Sequence, residues 1–562
     1  MKKVLLLSLL GSTAAMAQVS APLVTKPTHH AVSQPVEQIA MQAQASAFEV
    51  KDFRVMRDHK RGDKVQTRAL AAAMATAVPA PSVTVSAGSP FLQTATFQPL
   101  GAPIGKNFEA LGVGTPGFAI SGAPPDTTLA VSPTQIVQWV NSQFAVYNKR
   151  GRALLPAPGF LNGNVIWSGL PSGSLCKQFN RGDPIVQYDR HAQRWILSQF
   201  AFTSNFGNNA QCIAVSTTSN ALGSYNLYEY NFGNALPDYG KLGVWTDAYF
   251  ITYNMFGNAT TTFDGGRACA YDKATMLVGG AATQICFNSA PDFSFLPSDL
   301  DGSTPPPAGT PNIHVAWNWY NTAPPYTMQL HKFKPDFANP ANSTFDDGFG
   351  GPTFSFVAVE LPDTLGPCSD AGSGTGFRCV PQAGTTQTLD TLGDRHMYRL
   401  VYRNFGSYDS LLITQTVDAT GQGNVADLHW MEIRNPAANP PVIFQNSTFV
   451  ADSTARWMSS AAFDKLGNIG IGYSASSSAI NPGIRVTGRR RTDAKNVLRT
   501  EQVVQNGTGS QTTGLSRWGD YSTMQIDPAD DCTFWYTTQY IAANGTFNWN
   551  TRIASFKFPT CR

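Results

Sequence analysis

The chain has 562 residues, of which 14% are charged and 11% aromatic, with 49 glycines, 37 prolines and a formal charge of +3. Without Lys2 and Lys3 that charge falls to +1, which excludes the basic footprint of a nucleic-acid-binding protein. Many glycines, prolines and aromatic residues with few charges point to a chain of short strands and tight turns rather than helices.

Taken in chain order, Lys2 and Lys3, the apolar run from Val4 to Leu10 and the small residues Ala15-Met16-Ala17 read as a signal peptide over residues 1–17. The apolar run is too short to span a bilayer, and no later stretch reads as an anchor. The expectation is a secreted protein, extracellular or periplasmic, with no membrane span. Residues 18–105 are rich in Ala, Gln, Val, Ser and Pro and contain neither Cys nor Trp. They read as a low-complexity leader or pro-region with a short helical candidate over 68–74, removable without unfolding the rest.

From 118 to 562 the pattern changes to short alternating runs bounded by turn residues. Examples are Ile136–Val140, Trp195–Phe200, Tyr249–Tyr253, Leu411–Thr414, Ile469–Tyr473 and Thr533–Thr537. No helical stripe persists over three turns. A weak repeat of polar opener, strand, tight turn and strand starts at Asp126, Asp183, Asp238, about His314, Asp394, Arg456 and Arg517, with spacings from 55 to 80 residues. Sheets repeating at a long period mark a propeller. The fold expectation is all-β: a single β-propeller over 118–562, with seven blades (six or eight as alternatives), preceded by the low-complexity segment. A pair of β-sandwiches is the rival, but it does not require recurring polar openers.

The eight cysteines all lie at or after Cys176. In an exported chain they read as disulfides, although eight allow on the order of a hundred pairings. Cys368 and Cys379 flank the glycine-rich tip at 372–376, and Cys532 and Cys561 flank two apolar runs joined at Asn544-Gly545, so both pairs read as staples across a hairpin. Cys176 with Cys212 and Cys269 with Cys286 follow as nearest neighbours.

The runs Asp183–Arg190 with Trp195–Phe200, Met397–Phe405, and Arg517–Ser522 to Tyr536 resemble a group of secreted bacterial β-propeller proteins over most of 120–560. The resemblance implies the fold and a bacterial source and brings no function with it. A more distant likeness is to sialidase-type propellers, which carry an arginine cluster in a central funnel. The sialidase turn motif S-x-D-x-G-x-T-W is absent; Asp464-Lys465-Leu466-Gly467-Asn468 is the nearest stretch.

If the openers mark the starts of the innermost strands, one rim collects residues far apart in sequence. Asp126, Asp183, Asp238, Asp520 and Tyr521 are the catalytic candidates, and Arg181, Arg395, Arg456 and Arg517 the substrate-binding candidates. Lys241, Asp394 and His396 lie beside them. Arginine grips carboxylates bidentately, and a carboxyl pair can work as acid and base on a glycosidic bond. The reading is a propeller that binds or hydrolyses an acidic extracellular glycan, as a glycoside hydrolase or polysaccharide lyase if it is an enzyme, and as a monomer. The alternative is a non-catalytic extracellular or surface interaction protein whose Asp–Arg pairs are structural. No cofactor is expected; Ca²⁺ is the open possibility, through rim carboxylates or through Asp299-Leu300-Asp301-Gly302, which also reads as plain loop. Trp317, Trp319, Tyr320 and Tyr326 read as packing or as sugar-stacking rings.

Overall fold

The computed structural model describes residues 21–43, 54–55, 91–94, 98–120, 122–257, 262–289, 292–318, 328–346, 378–419, 425–438 and 441–562. The signal peptide, the helical candidate at 68–74, Cys368, the tip at 372–376, Trp319, Tyr320 and Tyr326 lie outside them.

Among the described residues the strands form seven successive antiparallel units. Their innermost strands are Thr128–Val131, Ile185–Asp189, Leu236–Val244, Asp292–Asp301, His396–Asn404, Ala455–Phe463 and Thr523–Ile526. Each innermost strand lies against the next, and the seventh lies against the first, so the units close into a ring. That closure defines a β-propeller. The fourth and fifth units are further joined by parallel pairing of their innermost strands, Ser298 opposite Leu400 through Asp301 opposite Arg403. The core lies between units: eight tryptophans, among them Trp139, Trp195, Trp457 and Trp518, are fully buried.

The last unit takes its first three strands from the C-terminal end of the chain and its outer strand, Ile104–Glu109, from before the first unit. The boundary drawn at 105 therefore falls within a paired strand. Three earlier pieces also sit on outer edges. Leu23–Thr25 pairs with the third unit, His29–Val32 with the second and Phe91–Gln93 with the fifth. The helix Val36–Ala43 buries Val36, Ile39 and Ala40. These contacts blunt sheet edges that would otherwise expose unpaired backbone groups.

Three disulfides match the expected pairs: Cys176–Cys212, Cys269–Cys286 and Cys532–Cys561. Cys379 is also disulfide-bonded. The opener placed at about His314 is corrected. His314 lies on the second strand of its unit, Asn312–Asn318, opposite Pro297 of the innermost strand Asp292–Asp301. Pro297 made that run read as a non-strand.

Candidate functional site at the axial mouth

The innermost strands begin at one end of the ring axis, and their starts carry a shared irregularity. Asp126 (φ 45°) and Asp183 (φ 47°) precede their strands in the left-handed region, and Tyr239 (φ 57°), Ser294 (φ 51°) and Met458 (φ 51°) occupy it within theirs. At the last three the strand register shifts. Left-handed non-glycine residues cost roughly 1–3 kcal/mol each and cluster where side chains must be re-aimed.

Four carboxyls from four units gather at this mouth. Asp126 Oδ1 accepts the backbone N–H of Asp520 at 2.7 Å. Asn141 links Asp126 to Asp183: its Nδ2 donates to Asp126 Oδ2, and its Oδ1 accepts the Asp183 N–H at 2.9 Å. Arg517 Nη2 donates to Asp520 Oδ1 at 2.5 Å. Asp238 and Lys241 flank a register shift in their strand, and both act electrostatically on Asp183. Lys241 is buried, with Nζ 3.3 Å from the Tyr239 ring centroid and 4.3 Å from that of Tyr521. Tyr521 donates its hydroxyl to the Pro184 carbonyl at 3.0 Å. Of the four carboxyl residues Asp183 is the most open to solvent; the other three are buried.

Burial and then the Asp238 carboxylate raise the Asp183 carboxyl to about 7, against the pull of Lys241 and Arg517. Burial, with Asp520 and Asp183 adding to it, also holds Asp126 well above the usual carboxylate range. Burial lowers Lys241 to about 8, opposed by the surrounding carboxylates. This end thus holds a partly exposed Asp whose carboxyl keeps its proton close to neutral pH, a state suited to proton transfer.

A second polar layer closes the axis below. Arg399 lies 3.2 Å from Asp299 Oδ2 and 2.7 Å from Asp301 Oδ2, and its Nη1 donates to Gln525 Oε1 at 2.7 Å. Gln187 donates to Asp299 Oδ2 at 2.7 Å and accepts from Gln525 at 2.7 Å. Innermost strands of the second, fourth, fifth and seventh units meet here. Asp299 and Asp301, considered as a calcium loop, are strand residues paired with arginine. Among the described residues no three His, Cys, Asp or Glu side chains are grouped to hold a metal ion.

The remaining candidates fall elsewhere or are already engaged. Arg395 pairs with Asp394 at 2.8 Å and lies over the Tyr239 and Phe293 rings. Arg456 points away from the carboxyl cluster, to Glu501 at 2.8 Å and Asp452 at 2.9 Å. Arg181 donates to the Phe202 carbonyl at 2.9 Å and packs on the Phe179 and Phe202 rings. His396 is buried within its sheet opposite Gln415, and burial lowers it to about 3. Asn141 and Tyr239 were not among the candidates. Tyr239 adjoins Asp238 and was within reach of the repeat, whereas Asn141 follows the second strand of its unit, where the repeat carries no signal.

The sheet order and ring closure make the chain a β-propeller. No protein-family model and no curated protein matches it. Among solved structures, a GH93 α-L-arabinofuranosidase of Fusarium graminearum is similar at TM-score 0.36 and 8% identity, covering 80% of this chain and 98% of that one. The α-L-arabinanase of Penicillium chrysogenum gives TM-score 0.36 and 8% identity, covering 82% and 100%. A protein of unknown function from Dyadobacter fermentans gives 0.33 and 8%, covering 84% and 98%. Likenesses of this size assign neither activity nor substrate to this chain. The three disulfides fit an oxidising compartment, and among the described residues no helix is long and apolar enough to cross a membrane.

Proposed function

We propose that this is a secreted propeller that binds an extracellular carbohydrate at the axial mouth and hydrolyses a glycosidic bond there. The observation that carries the reading is the convergence of Asp126, Asp183, Asp238 and Asp520 from four units at one end of the ring, with Asp183 partly exposed. A cluster of carboxyls whose titration is shifted by burial and by one another marks a candidate functional site. In this reading Asp183 gives its proton to the glycosidic oxygen as the C–O bond breaks. Asp520, charge-paired with Arg517, faces the positive charge that develops at the anomeric carbon, and water then bonds that carbon and returns a proton to the Asp183 carboxylate.

An acidic substrate finds no support at this mouth. Arg517 is paired with Asp520, Arg395 with Asp394, and Arg456 with Glu501 and Asp452. Four carboxyls against Lys241 and Arg517 favour a neutral glycan. The second reading, a non-catalytic interaction protein, is favoured by the internal bonds of Asp126 and Asp520. Release of reducing ends from a panel of neutral oligosaccharides separates the two. Hydrolysis that falls at least a hundredfold in Asp183→Asn, with binding retained, supports the enzyme. Binding without cleavage by the wild type supports the second reading, and neither binding nor cleavage rejects both.

A further inference from the structure

The opposite end of the axis has a different character. A cavity of 370 Å³ opens there, lined by the ends of innermost strands and the turns after them in the first, second, fourth and seventh units, and by Ser219 from the turn after the third strand of the second unit. That volume falls in the range of small-ligand sites, roughly 300–1,000 Å³. Arg190 and His191 of one turn line it, as do the hydroxyl-bearing Ser132, Thr134, Ser219 and Ser303. Tyr188 supplies an aromatic wall, tilted against Trp195 at 4.9 Å.

The cavity lining carries basic groups and no carboxylate. Arg190 and Arg403 share the one carboxylate of Asp531, at 2.9 Å for Arg190. Arg190 spends Nη1 on that bond, and His191 stands exposed. On the same face Arg150, Arg152, Lys465 and Arg491 are exposed on the turns of the first and sixth units. A guanidinium with spare donors, a ring and several hydroxyls in one cavity match a sugar that carries an oxyanion.

We infer that this strand-end cavity is a second carbohydrate site, selective for a carboxylate-bearing sugar. The carboxylate meets Arg190, the ring lies on Tyr188, and the sugar hydroxyls bond the serine and threonine hydroxyls and the free ring nitrogen of His191, which burial keeps neutral. The site is independent of any chemistry at the mouth, because the Arg399 layer separates the two ends.

The test is calorimetric titration of the full chain with oligogalacturonate, with its methyl ester, and with inorganic phosphate. The expected result is binding of the acid at least tenfold tighter than the ester and than phosphate. Arg190→Gln, His191→Ala and Ser219→Trp should each weaken acid binding at least tenfold. Should Arg190→Gln fail to fold because Asp531 loses a partner, the other two variants decide. Equal affinity for acid and ester, phosphate bound as tightly as the oligosaccharide, no binding of the acid, or wild-type binding in His191→Ala and Ser219→Trp would each overturn the site. Any of these results leaves the mouth reading untouched, since that is read by cleavage of neutral sugars.

Discussion

The backbone N–H of Asp520 bonds to Asp126 Oδ1 at 2.7 Å, across 394 residues of chain. The bond joins the seventh unit to the first at the strand-start end of the ring. It sits beside Asp183, the carboxyl with most access to solvent. Ring closure and the candidate site therefore share the same atoms, and loosening one is expected to loosen the other.

The raised Asp183 carboxyl makes stability fall as pH rises. In the unfolded chain an Asp loses its proton near pH 4, whereas in the folded protein Asp183 keeps it until about pH 7. Between those values the folded state holds the extra proton, so stability declines across that window and levels off above it. Asp183→Asn should therefore be close to neutral at pH 4 and should stabilise by roughly 1–3 kcal/mol at pH 8. Urea unfolding at the two pH values measures this; equal effects at both would contradict the assignment.

Arg399 neutralises two buried carboxylates, Asp299 and Asp301. Removing one partner from a buried ionic cluster leaves uncompensated charge and costs about 3–5 kcal/mol. Arg399→Met should lower stability by that order, while Asp299→Asn with Asp301→Asn and Arg399→Met together should recover part of it. Thermal unfolding of both variants reads the difference.

The strand Ile104–Glu109 completes the seventh unit, and Glu109 pairs with Arg552 at 2.7 Å. A chain starting at residue 98 keeps that strand; one starting at 111 does not. The first, which has lost the edge strands Leu23–Thr25, His29–Val32 and Phe91–Gln93, should still melt cooperatively though below the wild type, and the second should melt well below the first or fail to fold. Circular dichroism melts of the two truncations decide, and equal melting points would remove the strand from the closure.

Cys532 and Cys561 are 29 residues apart and bonded. In the chain-entropy model a loop of this length contributes about 3–4 kcal/mol. The Cys532→Ser, Cys561→Ser double variant should lose stability of that order in denaturant, with no change in carbohydrate binding. A loss of binding at unchanged stability would place the disulfide in the ligand site instead.

Much of the ring was legible because polar openers recur before apolar strands, as at Asp126, Asp183 and Asp394. The exact register was less so. Arg456-Trp457 and Arg517-Trp518 look equivalent, but Ser522 Oγ donates to the Met458 carbonyl and the Met524 N–H donates to Ser460 Oγ, both with an offset of 64 residues. That offset sets Arg456 level with Asp520 rather than Arg517, and its side chain leaves for Glu501. The Arg399 layer went unread for a related reason. Asp299 and Asp301 alternate along one strand and so point to the same face, but in sequence the pair with Gly302 looks like a turn. Tertiary packing, which no local pattern records, turned both carboxylates onto an arginine from the neighbouring unit.

The central claim is that a neutral glycan lies over Asp183 at the axial mouth. The most direct measurement is a crystal structure of the Asp183→Asn variant with the oligosaccharide that the screen selects. The account predicts a sugar at the strand-start end of the axis, its glycosidic oxygen within about 2.6–3.2 Å of the residue 183 side chain. A saccharide bound at the outer blade edges, or only at the strand-end cavity, would contradict it.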